Sequence, residues 1–216
     1  MPYRRTENVV RRLAEREEAI LAAATAIAAE GGMAAVQIAA VAARAGIAAG
    51  TVYRYFPSKT DLVAELVAAV AGRELSAMMA AGDAAPGPLS ALAACIATFA
   101  ARALNERRLT WAVIGEPVDA QVDAMRLDFR QSLAAELGAR IKTAIAGRHL
   151  PEQDASVAAP AIVGALMEGL LGPLAPAPAD AAAMRAAVQS ATLLALRALG
   201  VIDARARGLV AQCVLP

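Results

Sequence analysis

The sequence is poor in the residues that most catalytic and metal chemistry needs. It has one histidine, two cysteines, one tryptophan and 3% aromatic residues among 216. A single imidazole, His149, excludes a multi-histidine metal site and a histidine-based triad. Its place at the end of a predicted helix fits a dipole partner instead. Cys95 and Cys213 are far apart and form no C-x-x-C or Cys/His cluster. The simplest reading is a reduced, cytoplasmic chain without a disulfide framework. There is no P-loop, dinucleotide fingerprint or nucleophile elbow, so no cofactor and no enzymatic activity is expected. No apolar segment of signal-peptide type follows the basic N-terminus. The longest uncharged stretch, residues 84–101, contains Pro86 and Pro88. Its helical part reads as too short and too Ser/Thr-punctuated to span a membrane.

What is abundant is alanine. Hydrophobic residues make up 58% of the chain with few β-branched runs. Alanine is the best helix former, so composition alone predicts an all-α protein. Net charge is +1, but it is unevenly spread. Residues 1–59 hold eight Lys/Arg against five Glu, net +3, and the rest is net −2. A basic module on a slightly acidic body fits a nucleic-acid reader on a neutral scaffold. Ordinary scatter of surface charge gives the same numbers.

The most ordered pattern runs from Gln37 to Asp61. Ile38, Val41, Ala42 and Ala45 share a helical face, and Gly46 supplies the left-handed residue that ends a helix. A second short helix fits Ala48–Tyr55, with Ile47, Val52 and Phe56 inward. Pro57 disfavours helical geometry at Phe56 and closes it. Ser58 with Asp61 forms an S-x-x-D start signal for the next helix. Two short helices about a glycine turn make a helix-turn-helix, whose second helix enters the DNA major groove. Its residues suit that place. Ala48, Ala49 and Gly50 are small enough for close approach to a duplex. Thr51, Tyr53, Tyr55 and Lys59 donate to phosphate, and Arg54 can pair with a guanine edge. Gln37 and Arg44, at the two ends of the first helix, complete the set. Arg4, Arg5, Arg11 and Arg12 form either an arm or helix extension touching phosphates or the minor groove, or a solvated tail.

The run A-x-x-A-G-I-x-x-G-T-V-Y-R-Y-F-P-S-K-T-D-L resembles the DNA-binding signature of TetR-type transcriptional regulators. Gly46, Gly50, Thr51, Tyr53, Tyr55, Phe56, Ser58, Lys59 and Leu62 fall in register without a gap. The resemblance covers roughly residues 14–65. Beyond it, only length and helical pattern agree. It implies an N-terminal three-helix module, residues 1–59, joined to a helical effector-binding and dimerisation body, residues 60–216. It also implies a homodimer on a double-stranded operator, released by a small effector. Two departures stand out. The family usually has Thr or Ser where this chain has Gln37, and Ser or Thr at Ala48. Both would be helix N-caps, and alanine at a cap costs about 1 kcal/mol. A basic residue is also common in the family at the place of Ala49. An effector-independent activator, or an all-α carrier or enzyme with a vestigial helix-turn-helix, are the rival readings.

The rest of the chain reads as successive helices. A first helix, about residues 13–30, ends at Gly31-Gly32. A long one runs from Ser58 to about Ala80, with Leu62, Leu66, Val70 and Met78 inward. Further helices are read at 89–104, 109–114, 118–147, 154–171 and 179–199, and a turn or two in the tail. Pro160 predicts a kink or a delayed start. Phe99, Trp111, Met125, Phe129 and Met167 are large residues in an alanine-rich body. They either fill the core or line an apolar effector cavity, with Glu116 or Arg126 as its polar handle. The acids Glu116, Asp119 and Asp123 read as a helix N-terminus rather than a carboxylate pair for catalysis. Ala161, Gly164, Ala165, Glu168 and Gly172 put small residues on one helix face. With Val188 and Leu196 on the next helix, they mark either a dimer contact or an intrachain one.

Overall fold

The computed structural model describes residues 7–213. Among them every regular element is helical. The helices are α1 (Glu7–Gly31), α2 (Ile38–Arg44), α3 (Ala49–Tyr55), α4 (Lys59–Asp83), α5 (Pro88–Asn105), α6 (Arg107–Ile114), α7 (Ala120–Ala146), α8 (Ala155–Leu170), α9 (Ala181–Ala198) and α10 (Asp203–Gln212), with a 3-10 turn at Met33–Ala35.

The start of α1 and the tail differ from expectation, and α8 resolves the question at Pro160. α1 starts at Glu7, earlier than residue 13, so Arg11 and Arg12 lie on the helix extension. Acids and bases four apart explain the early start, Arg11 lying 3.5 Å from Glu15. α8 begins before Pro160 and runs through it, because Asp154 caps the helix by accepting from the Ser156 N–H at 2.8 Å. The proline removes one later ladder bond on an exposed stretch, which the cap and the buried Ala155, Ala159, Ile162 and Val163 outweigh. The tail carries a full helix, α10, packed on α9 and α5.

α5 is the centre of the body. It packs against α4, α7 and α9, and most of its side chains are buried, among them Leu92, Ile96, Phe99 and Leu104. The helix is long and apolar enough to cross a membrane by length and composition, contrary to the reading of the sequence, and 72% of it is buried inside the bundle. Surrounding helices, not lipid, cover its apolar circumference. α4 lies along it with Leu62, Leu66, Val70 and Met78 buried as expected. Where the pair carries charge, it is satisfied. The nearly buried Glu74 takes two hydrogen bonds from Arg102, at 2.7 and 3.0 Å, and one from Arg73 at 2.9 Å.

The N-terminal core is a separate cluster in the chain but a continuous one in space. Ile20, Ala24 and Ile27 of α1 meet Val36, Ile38, Val41, Val52 and Phe56. α1 also packs on α4 and α6, so the first helix touches the body directly.

Candidate functional site

α2, the turn and α3 form as the residues dictate. Gly46 takes φ 65°, where a side chain would be strained. Its N–H bonds the Ala43 carbonyl, and the Ile47 N–H reaches back to Ala42 at 3.0 Å, which closes α2. Val41 and Val52 are fully buried and pin the two helices together. Ser58 and Asp61 form a reciprocal capping box that starts α4. Neither Gln37 nor Ala48 provides a side-chain cap bond. Gln37 instead donates from Nε2 to the Ala34 carbonyl at 2.9 Å.

The outer edge of α3 is open. Ala48, Ala49, Gly50, Tyr53 and Arg54 are exposed, and Thr51 and Tyr55 are half-buried. Tyr53 is 53% exposed, although large aromatic residues are rare in this chain. Lys59 is exposed at the first position of α4. Arg44 behaves differently from expectation. Its guanidinium makes a two-bond pair with the Glu30 carboxylate, at 2.7 and 2.5 Å, tying the end of α2 to the end of α1. That pair holds Glu30 below the usual carboxylate range. A fork already closed on a carboxylate is not a free donor for DNA. Arg4 and Arg5 lie outside the described residues.

Sequence reading missed Arg16. With Arg12 one turn earlier on α1 and Arg54 on α3, it lines an open groove of about 490 Å³ that also touches Thr51 and Tyr55. Among the described residues none of these three arginines pairs with a carboxylate. The available signal was the i, i+4 spacing of Arg12 and Arg16, hidden by placing the helix start at Leu13.

Besides the packing of α1, side-chain bonds hold the module at Glu116 and the start of α4 at Asp119. The Glu116 carboxylate, between α6 and α7, accepts from the Met33 N–H at 2.6 Å and from Arg108. Gly32, at φ 78°, makes room for it, since a Cβ there would overlap Arg108 and Glu116. Asp119 accepts from Thr60 Oγ1 at 2.8 Å while capping α7 through the Val122 N–H at 3.1 Å. These bonds keep Asp119 below the usual carboxylate range.

Residues 20–66 match the family model of bacterial regulatory proteins of the tetR family. The chain carries a TetR-family module. The transcriptional repressor KstR of Mycobacterium tuberculosis is 55% identical over 69 residues, 32% of this chain and 30% of that protein. KstR of Rhodococcus jostii is 51% identical over 73 residues, 34% of this chain and 32% of that one. The chain thus spans about a third of the length of the curated relatives it matches. Solved structures extend the likeness of fold over the body. The regulator FadR of Bacillus subtilis, in complex with stearoyl-CoA, aligns with a TM-score of 0.73 at 20% identity, over 86% of this chain and 98% of that one. RolR in complex with resorcinol aligns with a TM-score of 0.64 at 18% identity, over 96% and 98% of the two chains.

In the helical body, the residues expected around one cavity are dispersed. Phe99 borders a closed apolar void with Met78, Ile96, Leu133 and Leu137, and its free space is only about 10 Å³. That is no more than a single water needs. Trp111 lies instead on an open cleft of about 520 Å³ with Arg107, Arg108 and Leu171. Its ring covers Gly115, where a Cβ would overlap it. Glu116 is engaged with the DNA-side module and is not a free polar handle. Arg126 is 3% exposed and donates to the Glu116 and Ala112 carbonyls, the second at 2.7 Å, so it caps the end of α6. Phe129 is buried, and Met125 and Met167 are half-buried.

The dimer residues divide as well. Ala161, Gly164, Ala165 and Glu168 are exposed along one face of α8, next to Val157, which is 64% exposed. Val188 and Leu196 are buried within the chain, because that stripe of α9 faces α5 and α8. Gly172 is buried too, against the Glu168 carboxylate. The open side of α9 carries Leu194 at 62% exposure.

Proposed function

We propose that this chain is a cytoplasmic, dimeric transcriptional repressor that reads a near-palindromic DNA operator and releases it on binding a small, largely apolar effector. Residues 1–59 are the DNA-binding domain and residues 60–216 the effector and dimer domain. The observation that carries the reading is α3. It is a short helix pinned to the core by Val52, with Tyr53 and Arg54 exposed on its outer edge. Ala48, Ala49 and Gly50 permit close approach to the duplex, Arg54 reads a base edge, and Thr51, Tyr55, Lys59, Arg12 and Arg16 hold phosphates. The 55% identity to KstR over 69 residues supports it. The stearoyl-CoA and resorcinol held by its structural neighbours support an acyl or aromatic effector in the body.

Dimerisation is assigned to the exposed face of α8 around Gly164, joined by Leu194 of α9. A two-fold contact there sets two copies of α3 on one side of the duplex. Selection from random duplex DNA tests the reading. Two inverted half-sites, one helical turn or a multiple of it apart, are the expected product. Enrichment of no sequence, or of a single unrepeated half-site, refutes it. A second reading, an effector-independent DNA-binding protein, is favoured by one observation, the nearly filled void beside Phe99. It requires operator affinity that no apolar ligand changes.

A further inference from the structure

Among the described residues one buried side-chain polar atom lacks a hydrogen-bond partner, Nε of Arg126. The other guanidinium nitrogens are spent on backbone. Nη1 donates to the Glu116 carbonyl and Nη2 to the Ala112 carbonyl. Both acceptors are neutral. The one carboxylate paired with Arg126 is that of Asp123, 3.8 Å from Nη1 and 66% exposed. The carboxylate of Glu116 is taken up by Arg108 and the Met33 N–H, and Arg130 adds a further positive charge nearby. A nearly buried guanidinium is therefore left with an unused donor and an incompletely balanced charge, an arrangement that costs stability unless a partner arrives.

Arg126 shares the inner face of α7 with Phe129, Leu133 and Leu137, all buried. The last two line the apolar void with Phe99, Met78 and Ile96. From Arg126 to Leu137 the helix runs about 16 Å. The body thus contains an apolar column with one cationic donor at its end.

We propose that the effector is an apolar monocarboxylic acid whose carboxylate accepts from Arg126 Nε while its hydrocarbon tail runs past Phe129 into the void. This rests on the ligand-responsive reading above and names the class of ligand. A carboxylate is an acceptor with a full charge, so it satisfies the donor and the unbalanced cation together. An alcohol of the same length brings no charge. The tail needs more room than the void offers, so the rings of Phe99 and Phe129 must yield as it enters. The same guanidinium holds the end of α6. Drawing it toward a carboxylate loosens the Ala112 and Glu116 carbonyls, next to the side chain that grips Met33.

The test is titration of the full chain with dodecanoate and with dodecanol, followed by Trp111 emission and by the melting temperature. The acid is expected to bind at least about tenfold more tightly, a difference of about 1.4 kcal/mol. Arg126→Met keeps an unbranched stem, removes the guanidinium and its donors, and is expected to bring the two affinities together. No binding of dodecanoate, equal affinities in the unaltered chain, or an acid preference that survives Arg126→Met overturns the proposal. If Arg126→Met does not fold, Asp123→Asn decides, since its side chain is exposed and its charge competes with the ligand. A higher acid-to-alcohol ratio supports the proposal and an unmoved ratio overturns it. Duplex selection on the same preparation separates this from the regulator reading. Acid preference without sequence-specific DNA binding refutes the regulator and leaves the acid site standing. Specific DNA binding without acid preference does the reverse.

Discussion

The joint at Glu116 is the most exacting place to perturb this protein. Its carboxylate accepts from the Met33 N–H and from Arg108, and its side chain is only 17% exposed. Burial by itself would raise its pKa. The bonds from Arg108 and Met33 outweigh that, and the net shift is downward from 4.5. Glu116→Gln keeps the shape, removes the negative charge and leaves one acceptor oxygen for the two donors, Met33 N–H and Arg108. Bonds to a charged group contribute about 1.5–3 kcal/mol. Arg108 is 45% exposed, so solvent screening lowers its share, and we expect a loss of about 1–2 kcal/mol. For a chain of this size that lowers the melting temperature by roughly 2–8 °C.

The same group sets a pH dependence. A carboxylate whose folded pKa is depressed contributes stability that is fully present above its unfolded value of 4.5. The contribution is lost as pH falls through the lower folded value. Glu116→Gln should therefore narrow its deficit against the unaltered chain as pH drops below 4.5, and the two melting curves should converge in acid. Since Met33 opens the turn before α2, the variant should also change operator affinity at neutral pH. Equal melting temperatures at pH 7, or a difference that stays constant into acid, would sink the claim that this carboxylate joins body and module in its charged form.

Other substitutions test other parts. Arg54→Ala should relax preference at one operator position at a cost of about 1–3 kcal/mol, read by competition with base-substituted duplexes. Arg16→Ala and Lys59→Ala should instead weaken all duplexes alike and flatten the salt slope by about one unit each. Uniform loss in all three would remove Arg54 from the base edge. Ala48→Ser supplies the missing cap on α3 and should add about 0.5–2 kcal/mol in a thermal melt; no gain would mean those N–H groups are already satisfied. At Gly164 a Cβ meets nothing within 4 Å, so Gly164→Leu should not crowd the isolated chain. Sedimentation should nonetheless show monomer with operator binding lost, and a dimer that still binds would move the contact elsewhere.

How far the residues alone disclose this molecule depends on how local each interaction is. The helix-turn-helix was legible because its determinants sit within 25 residues. They are a periodic stripe at Ile38 and Val41, a glycine that takes φ 65° and a capping box at Ser58 and Asp61. Each acts on its own neighbours, so spacing reveals it. The inward residues of α4 followed for the same reason. Charges that act across the fold were not legible. Glu116 and Asp119 both read as acids at a helix start, and Asp119 does cap α7, yet Glu116 reaches 83 positions back to Met33. Arg126 reads from the sequence as a polar handle for a cavity, whereas its guanidinium closes the end of α6. Periodicity likewise showed that Val188 and Leu196 lie on a buried stripe of α9, but not what buries them. A stripe covered by α5 and one covered by a second subunit have the same composition. Only the placement of α5 at the centre of the body separates the two. It leaves Leu194 and the small-residue face of α8 among the exposed outward residues.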